Sequence, residues 1–411
     1  MSPKVLGAEM IYVNGENVGD PLEDGSLEHP YNTIQEGVNA ASVGGTVQVA
    51  SGTYYENVVI NKSLTLKGAG SDITIIDGSG PLKPGVEITG DNVNISRFTI
   101  RNSGHGVHLH MCSGTTVSDN TMTSNKYEGI YVQASNDNTI CGNIITSNKF
   151  EGMYLETSTG NKISGNTIIN NGFDGVFLDS SSDSNTVSDN TITSHVNWTG
   201  IGLSHSGGNT ISNNTLSINY YGIGFYDLSI GNTASGNTIS NNELGIELYE
   251  SGGSTIYHNN FINNTDQVYP SGTNAWDNGV EGNYWIDYNG TDADSDGIGD
   301  IPYEIDVTNK DNHPLMNPYD KTNPIADAGP DQLVVNGTTV TFDGSGSTDN
   351  LDVVNYGIVN YTWTFTDNTT QVLTDVKANY TFYNIGNFSV TLNVSDYSGN
   401  WDTDEMWVNV T

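Results

Sequence analysis

Apolar residues recur along this chain in step with a glycine. Gly106, Gly129, Gly152, Gly175, Gly200, Gly222 and Gly245 are separated by 22 to 25 residues. One apolar column follows each glycine directly: Val107, Ile130, Met153, Val176, Ile201, Ile223 and Ile246. A second lies two residues further on, from Leu109 to Leu248, a third runs from Val117 to Ile256, and a fourth from Met122 to Ile262. Apolar positions two apart mark a strand with one buried side. A unit of this length is too short for a strand and a crossover helix, but it holds three short strands and three turns. Stacking such units pairs the backbone of each with the unit above and the unit below. Weaker repeats extend the pattern upstream. The reading is an all-β protein whose residues 46–283 form a right-handed parallel β-helix of roughly ten or eleven coils. Asn120, Asn143, Asn166, Asn190, Asn214, Asn237 and Asn260 keep the same period and predict a structural ladder of stacked amides. The repeat glycines are expected at turns that need positive φ.

The ends break the pattern. Within residues 1–45, Thr33 to Ala41 reads as a short capping helix, with Thr33 and Glu36 as a capping box and Ile34 and Val38 facing the first coil. Residues 284–321 read as a C-terminal cap, rich in aromatic residues near Trp285 and Tyr288, that ends in a linker at Asp320–Pro324. From 322 to 411 the period changes to strict alternation with many turns, which predicts an immunoglobulin-like β-sandwich anchored by Trp363 and Phe365.

Charge narrows the partners. The formal net charge is −36, from 48 acidic and 12 basic residues. Such a surface repels nucleic acid, and no apolar run is long enough for direct membrane insertion. Residues 1–9 contain no hydrophobic signal region, so export is inferred from Asn-x-Ser/Thr triplets such as Asn61, Asn94, Asn197, Asn263, Asn289, Asn360 and Asn387. The expected location is extracellular or at the cell surface. Cys112 and Cys141 fall at different phases of the repeat, which argues against a disulfide between them.

The opening IYVNGENVGDPLEDGSLEHPYNTIQEGVNAA resembles archaeal β-helix surface proteins, and the coils resemble NosD-type and carbohydrate-binding or sugar-hydrolase repeats. GNYWIDYNGTDADSDGIGDIPYEI resembles the usual end of that group. The last domain, with FDGSGSTD, YTWTF and YTFYNIGNFSVTLNVSD, is similar to a PKD domain, although WTFTDN departs from the turn common there. The resemblance implies an exported protein. For chemistry it spans copper-associated periplasmic proteins, polysaccharide enzymes and passive surface proteins.

Three constellations could carry chemistry. In DADSDGIGD, Asp292, Asp294, Asp296 and Asp300, with the Ile298 carbonyl, match the first part of a calcium loop, but position 12 is Tyr303 rather than Glu. A structural calcium ion is the cofactor expected. The second lies on one outer face: Glu128, Glu151 and Asp174 just before the glycines, Tyr131, Tyr154 and Phe177 two after them, Glu156 and Asp179 four after, with Lys126 and Lys149 nearby. Tyr131, Tyr154, Phe177, Glu156 and Asp179 form a candidate glycan-binding face, with sugars stacked on the rings. If the chain is instead an enzyme, a polysaccharide lyase or glycoside hydrolase, Glu128, Glu151, Asp174 and Lys149 would carry the catalysis. A plain solvated face is the competing account. The third, His108, His110 and Cys112, alternates along a strand and could chelate zinc or copper; exposed histidines on a sugar-binding face explain it better. The leading expectation is a non-catalytic surface protein. Its β-helix would bind or present a glycan or polysaccharide and its sandwich would act as a spacer or adhesion module, with other surface proteins or copies of itself as further partners.

Overall fold

Three parallel sheets of eleven, ten and eleven strands wind around one core. This computed structural model describes residues 10–78, 80, 82–320, 322–349, 357–396 and 398–411. The expectation for residues 1–9 lies outside them. One coil contributes Val107–His110 to the second sheet, Thr116–Ser118 to the first and Thr121–Thr123 to the third. Val107, Leu109, Val117 and Met122 are fully buried, as are their counterparts in the coils that follow. Burying such a side chain contributes about 1.5–3 kcal/mol, so the columns are the main cohesion of the stack.

The columns hold with one slip. Ile239 pairs with Phe261, not Ile262, and the amide ladder continues from Asn237 to Asn259, not Asn260. The coil there is one residue shorter, and the Asn259–Asn260 and Phe261–Ile262 doublets hide the shift. The repeat glycines are also explained differently. Gly129 has no positive φ; a Cβ on it would lie 2.4 Å from Ile145 Cγ2 and 2.8 Å from the Gly152 carbonyl. Close packing between coils fixes glycine there. Positive φ is taken instead by polar corner residues such as Ser124, Ser147 and Asp119.

The N-terminal end is capped as expected. Helix α1, Ile34–Ala40, has Thr33 as N-cap, and Ile34 and Val38 are buried. The Glu56 carboxylate accepts from the Ile34 and Gln35 amides at 2.8 and 2.9 Å. A strand ahead of the periodic region, Met10–Val13, pairs in parallel with Thr46–Val49, so the stack starts before residue 46. At the other end Trp285 stacks between Phe261 and Tyr303 at 4.2 and 4.3 Å.

The chain divides into two units, Met1–Ala293 with Ile298–Pro314, and Asp294–Gly297 with Leu315–Thr411. The second contains a five-stranded sheet in the order Gln332–Val334, Trp401–Val410, Gly386–Asp396, Ile358–Asp367, Thr369–Thr374, and a two-stranded sheet of Thr339–Asp343 and Lys377–Thr381. Trp363 and Phe365 are buried with Phe342 and Phe382. Part of the expected linker is tied down: Ser398 Oγ donates to the Pro318 carbonyl at 2.9 Å and Asn400 Nδ2 to that of Asp320 at 3.1 Å.

Candidate functional site

Parallel register decides which side chains meet on the outside of the ten-stranded sheet. His108, Tyr131, Tyr154 and Phe177 are successive partners, and so are His110, Gln133, Glu156 and Asp179. The four rings stack face to face, with centroids 4.8, 5.4 and 5.9 Å apart and interplanar angles of 6°, 6° and 17°. Phe177, whose next partner in the ladder is Gly202, has a ring on one face only. Tyr131 and Tyr154 each have a ring on both faces, so a ligand meets the edges of those two rings. The next column holds the ladder in place. Tyr131 donates to Glu156, Tyr154 OH donates to Asp179 at 3.1 Å, and Gln133 Nε2 donates to Glu156 at 2.9 Å. Burial first, then the adjoining carboxylates, push both phenols above their ordinary range.

The acids before the glycines form their own row. The Gly106, Gly129 and Gly152 amides bond to the carbonyls of Glu128, Glu151 and Asp174, which sets the three in register. Glu128 pairs with His105 Nδ1, and Asp174 accepts from the Thr199 amide at 2.6 Å. Burial, then repulsion from Glu128 and Asp174, raises Glu151 to about 7. Burial raises Asp174 to about 6 against the opposing Thr199 bond. Lys149 is exposed, and no ion pair joins it to this row among the described residues.

A second aromatic column borders the acids on the other side. Tyr127, Phe150, Phe173 and Trp198 follow one another at 5.4, 5.1 and 4.5 Å, tilted by 51°, 78° and 60°. His105, in the column of the acids, lies 5.1 Å from Tyr127 and 5.2 Å from Tyr131. At His105 the column of the acids therefore lies between the two aromatic columns. The outer rings are inclined, and Phe150 and Trp198 are 38% and 42% exposed. Both side chains therefore keep part of their surface open to solvent. The column was legible in the sequence, with spacings of 23, 23 and 25 residues, and starts one position after Lys126 and Lys149.

The face also runs further than expected. Thr199 Oγ1 meets Tyr226 OH at 3.0 Å, and Glu247 lies near both Tyr221 and Tyr226. Tyr220, Tyr221, Glu243, Glu247 and Tyr269 border an open groove of about 490 Å³.

The NosD family, described as periplasmic copper-binding protein, matches residues 38–199 and 184–290, and a PKD domain matches 321–410. The chain belongs to the NosD family. The expected set of His108, His110 and Cys112 does not come together. Met111 has a φ of 52°, which breaks the strand alternation, and Cys112 turns inward to 3% exposure with its amide on Ser135 Oγ. Cys112 therefore does not join His108 and His110, which corrects the alternating-chelate expectation. His110 Nδ1 faces Gln133 at 2.9 Å, and burial lowers His108 to about 4. Among the described residues no group of three that includes His or Cys gathers its ligand atoms as a metal would require.

Individual relatives match short stretches. A probable ABC transporter binding protein NosD of Stutzerimonas stutzeri is 45% identical over 64 residues, 15% of this chain and 15% of that protein. A cell surface glycoprotein of Methanothermus fervidus is 35% identical over 94 residues, 22% of this chain and 16% of that protein. The chain thus spans about a sixth of the length of each. The alginate lyase from Paenibacillus sp. str. FPU-7 superimposes with a TM-score of 0.50 at 16% identity, covering 65% of this chain and 97% of that one. Pectate lyase Pel9A gives 0.50 and 16%, covering 66% and 80%. At this identity they share the fold alone. No described helix is long and apolar enough to cross a membrane.

The expected calcium-loop residues fall in both units: Asp292, Ile298 and Asp300 in the first, Asp294 and Asp296 in the second. Asp300 accepts from the Ala293 amide at 2.8 Å.

Proposed function

We propose that this chain is an exported surface protein whose β-helix holds a neutral glycan chain in the trough over Glu128, Glu151 and Asp174. The observation that carries the reading is the position of His105, 5.1 Å from Tyr127 and 5.2 Å from Tyr131, which puts the acid column between two aromatic columns. Carboxylates accept sugar hydroxyls, and inclined rings such as Phe150 and Trp198 pack on apolar sugar faces. The net charge of −36 repels a uronate chain at longer range. The surface location draws support from the Methanothermus fervidus glycoprotein relative. In this reading the PKD-like sandwich acts as a spacer or adhesion module, and the Asp292–Asp300 loop holds a structural calcium ion. A polysaccharide panel scored for retention and for chain cleavage tests the proposal: retention of neutral chains without new ends is expected, and retention of none refutes it.

One observation favours a second reading. Glu151 and Asp174 sit on adjacent coils, roughly 5 Å apart at the backbone, and both are raised, to about 7 and about 6. A protonated acid beside an ionised one is the arrangement a glycoside hydrolase uses. New reducing ends that vanish in Glu151→Gln would establish that reading.

A further inference from the structure

The outward face of the five-stranded sheet carries chemistry that the β-helix trough does not use. Alternation sends Val390, Leu392, Met406 and Val408 into the sandwich core, and the residues between them outward. Four acceptor asparagines of Asn-x-Ser/Thr triplets fall on this outer side: Asn387 and Asn393 on one strand, Asn409 on the next, and Asn360 on a third. The fold excludes the buried ladder asparagines from this role. Two residues after Asn120 or Asn143 comes an inward apolar side chain, Met122 or Ile145, where the triplet needs Ser or Thr.

Two of the four acceptors share a site. Asn387 and Asn409 are direct partners across the ladder, and Ser389, which completes the Asn387 triplet, faces Trp407. Asn387, Asn409, Trp407 and Leu333 line one open groove of about 490 Å³. Trp407 is 45% exposed and Leu333 73%. Gln332 lines the groove as well, and beside it the Glu405 carboxylate takes Ser389 Oγ at 3.4 Å and Thr391 Oγ1 at 3.5 Å. Asp331 also lines the groove and accepts from the Trp407 amide at 2.8 Å, so the open indole is flanked by carboxylates and amides that can accept and donate to the hydroxyls of a sugar held against it.

We propose that this groove is an N-glycosylation site, carrying one glycan on Asn387 or Asn409 whose first sugar packs on Trp407. The transferred group comes from a glycosyl donor with a phosphate or pyrophosphate leaving group. The side-chain amide nitrogen attacks the anomeric carbon, the N–C bond forms as the C–O bond to the leaving group breaks, and the amide gives up one proton. Partners across an antiparallel ladder are roughly 5 Å apart, so the groove takes one glycan rather than two. The glycan shields an exposed indole from self-association.

The test uses the full chain, exported behind a host leader from cells that glycosylate Asn-x-Ser/Thr triplets and, for comparison, made in cells that do not. Peptide mapping is expected to find a sugar adduct at Asn387 or Asn409 in the first preparation. Ser389→Ala with Thr411→Ala removes it, while Ser389→Thr, which keeps the triplet, retains it. Tryptophan emission of the glycosylated protein is expected at shorter wavelength than that of the bare protein, a difference that Trp407→Phe abolishes. Unmodified Asn387 and Asn409, whether or not triplets such as Asn61 and Asn197 carry sugar, overturn the proposal. So does a glycan in the groove that leaves the Trp407 emission unchanged.

Discussion

Replacing Asn166 with alanine tests how the coils are held together. Its Nδ2 donates to the carbonyls of Ile140 at 2.9 Å and Ser164 at 3.1 Å, and to Asn190 Oδ1 at 2.9 Å. Its Oδ1 accepts from both the backbone amide and Nδ2 of Asn143, each at 3.0 Å. Asn166→Ala deletes all five bonds in a fully enclosed turn. The Asn143 backbone amide is left buried with no acceptor, which costs about 1–3 kcal/mol, and the bonds lost at Ile140 and Asn190 are each worth about 1 kcal/mol. Asn143 Nδ2 keeps its bonds to the Val117 and Cys141 carbonyls, which limits the damage. The expected loss is about 3–5 kcal/mol. Ile144→Thr, an exposed change on the neighbouring coil, should shift stability by less than about 0.5 kcal/mol. Urea unfolding of the full chain, with hydrogen exchange of the Asn143 amide, measures both. A loss below about 1 kcal/mol with unchanged Asn143 protection would refute the argument that the amide ladder closes these turns.

Three further outcomes follow from the same geometry. Glu151 titrates near 7 in the folded chain against an ordinary 4.5, so the folded state holds the proton more tightly. Its contribution is present below the ordinary value and is lost as pH rises through about 7, by up to about 3 kcal/mol; unfolding curves from pH 4 to 8 should flatten in Glu151→Gln, and an unchanged slope would contradict the assignment. Chelation should lower Tm, and Asp294→Ala with Asp296→Ala should remove that difference; identical melting with and without chelator would eliminate the calcium loop. Residues 322–411, with their own core around Trp363 and Phe342, should unfold cooperatively when expressed alone, and a non-cooperative melt would show that they depend on the rest of the chain.

Much of this architecture was legible because the buried columns repeat without interruption. Val107 to Ile246 and Leu109 to Leu248 can be read as strands from their spacing alone, since a half-buried strand needs only alternation. Legibility failed where another residue could take the same place. Asn259 and Asn260 are both amides, so a 22-residue coil passed for a 23-residue one. Two further ladders, through Asn125, Asn148 and Asn171 and through Asn138, Asn161 and Asn185, lie in turns where no alternation flags them. Met10–Val13 went unread because α1 lies between it and its partner Thr46–Val49. At the site, the identity of the acid row could be read from spacing but its surroundings could not. Spacing says that Tyr131 and Tyr154 are neighbours; only ring angles of 6° show that each covers the face of the other. Tyr127, Phe150, Phe173 and Trp198 had a readable period, but they occupy turns, where direction depends on backbone torsions rather than on position in the repeat. Cys112 shows the same effect, since one positive φ at Met111 turned it from the histidines into the core.

The most direct test of the trough is the affinity of the full chain for neutral oligosaccharides, measured by calorimetry, with Phe150→Ala and Trp198→Ala beside the parent protein. Both rings belong to the outer aromatic column and are partly exposed, and truncating a stacking ring at a binding hot spot costs about 2 kcal/mol or more. Each substitution is therefore expected to weaken binding at least about tenfold, with no matching loss of thermal stability. Affinity unchanged in both variants, or a preference for uronate chains over neutral ones, would contradict the account.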